Sequence, residues 1–202
     1  MSTEKVQGTP RERLLAAASE LFYEEGIHTV GIDRVLERAG VAKASLYSTF
    51  GSKDELVRAY LLLRAERRQR RISERLARLA DPRARILAVF DVLGEVAAEP
   101  GFRGCAFVNA SAEGPRGETP VARTCADIRG WLRGLFTELA RAAGAAEPAR
   151  LAGALVLLYD GASVGAAMDG DPGRARVAKA VATQLLDAEA PLARPDRKSR
   201  RS

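Results

Sequence analysis

Lys43, Ala44, Ser45, Tyr47, Ser48 and Thr49 crowd a cation, three hydroxyls, a phenol and a methyl group into one short segment, and their chemistry is that of contact with nucleic acid. Lysine reaches guanine edges or phosphate, hydroxyls bond to either, and alanine fits against a thymine methyl. With Ile32, Val35, Ala39, Val41, Leu46 and Phe50 facing inward, those six residues stay outside on a short helix. Catalytic chemistry is poor by comparison. His28 is the one histidine, no serine or cysteine has a base beside it, and neither phosphate-binding glycine motif is present. Asp160 and Glu113 lie in otherwise apolar helices, where a capped or pocket-lining carboxylate explains them better than a catalytic pair. Cys105 and Cys125 lack metal-ligand spacing and read as small buried hydrophobes, with a redox switch as the alternative. The expectation is a protein that is not an enzyme and uses no metal or cofactor.

The elements that must position the exposed surface are helical. Alanine, leucine and arginine dominate, aromatics are only 5%, and β-branched runs are scarce, so an all-α fold is expected. Thr9-Pro10-Arg11-Glu12 is a capping box with proline at the first helical position, opening a helix from about Pro10 to Glu25 that Gly26 stops. Helices over about Ile32–Ala39 and Lys43–Phe50 flank Gly40, whose turn requires a positive φ. Two short helices around a glycine turn form a helix-turn-helix, in which the first braces the second in the major groove. A second capping box, Ser52 to Glu55, opens a long helix ending near Ala80. Further helices are expected from Asp81-Pro82 to Pro100, over about Arg103–Glu113, from Thr119-Pro120 to Gly144, over Pro148–Met168 and over about Pro172–Ala188. Pro148–Met168 is apolar on nearly every face, with glycine and alanine at 153, 154, 161, 162, 165 and 166 that would let another helix approach closely. With the last helix it forms a terminal pair. They are expected to bury themselves against a second copy of the chain, with an ordinary intramolecular core as the alternative.

The net charge of +6 suits a polyanionic partner, but its placement matters more than its sum. Residues 1–56 hold seven Lys/Arg against nine Asp/Glu, whereas 57–80 hold eight against two. Arg64, Arg68, Arg71, Arg75 and Arg78 form one stripe of the long helix, expected as a solvated face or as intramolecular ion pairs rather than as a DNA contact. Nothing in Met1–Gln7 resembles a signal peptide, and the charge-free run Leu151–Tyr159 is far shorter than a membrane span, so a cytoplasmic location without membrane contact is expected.

Gly26-Ile27-His28 followed by GVAKASLYSTFGSKDEL over residues 40–56 resembles the N-terminal signature of the TetR family of bacterial transcriptional regulators. The resemblance covers roughly residues 10–58, and its joint spacing is highly specific. Arg103–Glu113 and Leu157–Ala162 are similar to the C-terminal domains of one large branch of that family. It implies about nine helices: a three-helix DNA-binding domain over 1–56, and an effector-binding and dimerisation domain over 57–190. A basic disordered tail over 191–202 would follow. It also implies operator DNA as partner, a homodimer through the last two helices, and release of a repressor by a small molecule. Lys43, Ala44 and Ser45 match the groove-facing positions, Tyr47 the phosphate-contacting aromatic, and Lys53 the lysine that meets phosphate at the start of the fourth helix. Val30 and Gly31 depart from the usual threonine and serine, Ala42 from a serine, and Leu36 from a small alanine. For the effector pocket, Phe90, Phe107, Asn109, Trp131 and Tyr159 combine apolar walls with polar tips, core packing being the alternative.

Overall fold

The computed structural model describes residues 8–113 and 117–190; the basic tail expected over 191–202 lies outside the described residues. Among them there are nine helices and no strand: α1 (Pro10–Glu25), α2 (Ile32–Ala39), α3 (Lys43–Phe50), α4 (Lys53–Leu76), α5 (Pro82–Ala97), α6 (Ala106–Glu113), α7 (Pro120–Ala142), α8 (Pro148–Asp169) and α9 (Arg174–Glu189).

Local chemistry sets most boundaries. At α1 the Thr9 side chain accepts from the Glu12 amide while the Glu12 carboxylate accepts from the Thr9 amide at 2.8 Å, so the capping box is complete. At α4 only half the expected box forms: Ser52 accepts from the Glu55 amide at 3.2 Å, but Glu55 turns forward to pair with Arg58. That helix ends at Leu76 rather than near Ala80, because tightened bonds from the Arg78 and Leu79 amides to Arg75 and Leu76 close its last turn. The start of α6 is delayed from Arg103 to Ala106, since the Arg103 amide is bonded to the Tyr23 hydroxyl and Gly104 sits at φ 85°. Similarly, Asp171 takes the Gly173 amide at 2.8 Å, and α9 begins at Arg174 instead of Pro172.

Two apolar clusters hold the helices together. One joins α1, α2 and α3 to the first half of α4, to α6 and to the start of α7, through Leu14, Leu46, Tyr60, Phe107 and Ile128 among others. It therefore crosses residue 56. The second joins the end of α4 to α5, α7, α8 and α9, with Phe90, Phe136, Leu151 and Leu186 at its centre. Phe136 is fully buried and stacks on Phe90 at 5.9 Å between ring centroids, and Phe90 in turn leans on Tyr159 at 6.3 Å. Phe136→Ala is expected to cost about 3–5 kcal/mol of stability. A denaturant titration showing a loss below about 1 kcal/mol would contradict this account of the core.

Among the described residues α8 is the one helix long and apolar enough to cross a membrane. One side of it packs between α7 and α9. The other side leaves Leu157 (69% exposed), Val164 and Met168 (80% exposed) uncovered, and Val177 and Val181 of α9 are exposed as well.

Candidate nucleic-acid interface and effector cavity

The tight αL turn at Gly40 (φ 61°, ψ 42°) folds α3 back across α2, where Leu46 is fully buried against Val35, Ala39 and α1. Ile32, Val41 and Phe50 are only partly buried at the rim of that core. Leu36 is buried as well, so α2 packs through a broader apolar face than the sequence pattern indicates. Opposite Leu46, the surface of α3 presents Lys43, Ala44, Tyr47 (49% exposed), Ser48 and Thr49, with Ser45 half-buried. The Lys43 ammonium lies 3.3 Å from Asp33 on α2, an exposed pair that phosphate would replace at little cost. The Ser48 hydroxyl donates to the Ser45 carbonyl at 3.2 Å. Neither Gly31 at α2 nor Ala42 at α3 supplies a side-chain cap, which leaves first-turn amides of both helices free to meet an anion. Lys53 begins α4 directly after Ser52, half-buried, where the helix dipole favours phosphate.

A second feature lies farther along α4. A cavity of about 500 Å³ opens between α4, α5, α6 and α8, reaching Tyr23 of α1. Of the five residues expected to form a pocket, Phe107 and Tyr159 line it. Phe90 stands behind Tyr159 in the core, and Trp131 is half-buried on α7, packed against the second cluster. The Asn109 side chain donates to the Arg103 carbonyl at 3.0 Å and so holds the loop before α6. Burial pushes the Tyr159 phenol up to about 12 despite a neighbouring Arg68, so it is neutral at physiological pH.

The cavity's other walls were missed by sequence reasoning. The arginine stripe divides: Arg75 pairs with Glu95 of α5 and Arg71 with Glu99 in the turn just past its end, as expected of intramolecular ion pairs. Arg64 instead lies 3.7 Å above the Tyr23 ring, and Arg68 lies 4.5 Å above that of Phe107. The available signal was register. Positions 64 and 68 continue the stripe of Tyr60, Ile72 and Leu76, all buried, so two arginines occupy places that periodicity assigns to the core. Tyr23 also reaches the loop before α6, its hydroxyl donating to the Gly104 carbonyl and accepting from the Arg103 amide, both at 3.0 Å. Nearby, Glu113 at the end of α6 accepts from the His28 amide at 3.0 Å. Asp160 pairs with Arg129 of α7, and among the described residues no cluster of His, Cys, Asp or Glu is arranged to hold a metal ion.

The helix pair presenting an outward cationic and hydroxylic face, followed by a helical domain with its own cavity, defines a helix-turn-helix DNA-binding transcriptional regulator. Residues 14–60 match the model of the family described as bacterial regulatory proteins, tetR family. The fold superposes on a TetR-family transcriptional regulator from Streptomyces coelicolor with a TM-score of 0.85 and 32% identity, covering 90% of this chain and 96% of that one. A putative TetR transcriptional regulator from Streptomyces avermitilis gives 0.80 and 36%, covering 90% and 98%. The chain belongs to the TetR family. Among curated proteins, the HTH-type transcriptional activator FasR of Mycolicibacterium smegmatis is 38% identical over 81 residues, which are 40% of this chain but only 37% of FasR. That likeness is therefore confined to little more than a third of the relative's length.

Proposed function

We infer that the chain is a cytoplasmic, non-enzymatic repressor. It works as a homodimer through α8 and α9, grips operator DNA with Lys43, Ala44, Ser45, Tyr47, Ser48, Thr49 and Lys53, and is released when a small molecule enters the α4–α8 cavity. In this reading residues 1–56 bind DNA and 57–190 carry effector binding and dimerisation. The carrying observation is the continuity of α4, a single 24-residue helix whose first residue is Lys53 and whose middle walls the cavity. At 1.5 Å per residue, Arg64 and Arg68 stand about 16 and 22 Å along the helix from Lys53. A ligand that shifts this part of α4 changes the spacing of two recognition helices, which must stay ~34–36 Å apart to enter successive major grooves. Moving the population from mostly DNA-competent to mostly incompetent takes ~5.5 kcal/mol of preference between the two states.

Gel retardation and footprinting on DNA flanking the chain's own gene test the DNA half of this reading. Two protected half-sites about one turn apart are expected, and no retardation at any salt concentration removes it. A reporter behind that DNA should rise when the gene is deleted; a fall would mean activation and overturn the repressor assignment. Asn109→Ala is expected to lower stability by about 1 kcal/mol through the loosened Arg103 loop while leaving operator affinity without effector unchanged. A melt paired with a gel shift checks this, and a parallel loss of DNA binding would contradict it.

A further inference from the structure

We propose that the cavity's ligand is an amphipathic organic anion, bound with its carboxylate between Arg64 and Arg68 and its apolar body against α5 and Phe107. The proposal rests on reading this cavity as the effector site and adds the chemical class of the effector.

Five arginines of α4 line the cavity against one carboxylate, Glu99. Glu99 is already engaged by Arg71, and Arg70 faces Glu74 at 3.9 Å, so the local acids leave Arg64, Arg67 and Arg68 without ion pairs among the described residues. Arg64 and Arg68 are also the two arginines in core register, and the Nε of each is buried with no hydrogen-bond partner. Two adjacent guanidinium groups held partly out of water, on aromatic faces rather than on carboxylates, repel one another and leave donors unused. A bound carboxylate corrects both faults at once, because it supplies charge and accepts from two planar donor forks. The remaining wall is apolar. Val92, Leu93 and Val96 of α5 with Phe102 and Phe107 give a hydrocarbon or aromatic body a place to lie. A cationic ligand would meet like charge, and a neutral apolar one would leave the guanidinium donors unsatisfied.

The same geometry connects the ligand to the DNA-binding end. Arg64 shares its position between the cavity and the ring of Tyr23, the residue that ties α1 to the Arg103–Gly104 loop. An anion that draws Arg64 inward acts on α1 and α4 together.

The test uses the full chain and a head-group series of equal chain length: decanoate, decanol and decylamine. Each is scored by displacement of the fluorescent sulfonate 1-anilinonaphthalene-8-sulfonate and by thermal shift. Decanoate is expected to act at about tenfold lower concentration than decanol, and decylamine more weakly than either. Arg64→Gln and Arg68→Gln are each expected to weaken decanoate about tenfold with decanol unchanged, and Arg68→Lys to restore part of the difference. Equal potency of decanoate and decanol, stronger binding of decylamine, unaltered selectivity in both glutamine variants, or no saturable binding of any anion overturns the proposal. Should the variants unfold, the wild-type series decides alone. Operator retardation is measured on the same samples. Normal DNA binding without anion preference sinks the ligand class and spares the regulator, whereas anion preference without DNA binding does the reverse.

Discussion

Tyr47→Phe combined with Lys53→Ala is expected to weaken operator binding on the order of a thousandfold and to do so almost equally for specific and random DNA. In the proposed complex both side chains contact phosphate, since Tyr47 is exposed on the open face of α3 and Lys53 stands at the positive end of α4. In a dimer the pair of substitutions removes four contacts, and at about 1 kcal/mol each their loss gives that factor. Two cations disappear from the interface, so the slope of log affinity against log salt should flatten by about 1.8. Titration at several salt concentrations measures both effects. Because Tyr47 is half exposed and neither residue belongs to the apolar clusters, the melting temperature should hardly move. An unchanged slope, or a loss confined to the specific site, would show that these residues read bases or merely support the helix.

In the homodimer proposed through α8 and α9, Leu157→Glu should give monomers. Leu157 is 69% exposed on α8, Val164 and Met168 are exposed on the same helix, and Val177 and Val181 are exposed apolar residues of α9, the helix packed beside it. Large apolar side chains left exposed together are what the proposed pairing of two copies would bury. A carboxylate placed there in both copies of the proposed interface carries a desolvation cost of several kcal/mol per charge. Since each half-site would then be bound separately, operator affinity should also fall by about a hundredfold or more, through loss of effective concentration rather than of any DNA contact. Sedimentation and gel retardation on one preparation check the two outcomes. A dimer that persists despite the Leu157→Glu substitution would move the interface elsewhere, while Leu157→Ala, which keeps the face apolar, should retain most of it.

Much of the architecture was legible because it is written in short-range chemistry. The Thr9 cap, the glycine turn at Gly40 and the prolines opening α5, α7 and α8 each act within a few residues. The exposed face of α3 follows from the single inward Leu46 and a 3.6-residue period. Errors arose where a distant group competed for a local one. The Tyr23 hydroxyl claims the Arg103 amide, delaying α6 across 80 residues of sequence. At α4 the competitor is itself local: Glu55 pairs with Arg58, three residues on, instead of closing back on the amide of its cap.

By itself the sequence determined the nine helices of the described residues, the outward chemistry of Lys43 to Thr49 and the poverty of catalytic groups, since propensity, capping and periodicity are properties of neighbouring residues. Only the tertiary structure decided which arginines of α4 meet carboxylates and which lie on aromatic rings over a cavity. It also decided that Phe107 and Tyr159 line that cavity while Phe90 stands behind it, because a wall is made by helices remote in the chain and its charge is set by what those helices bring.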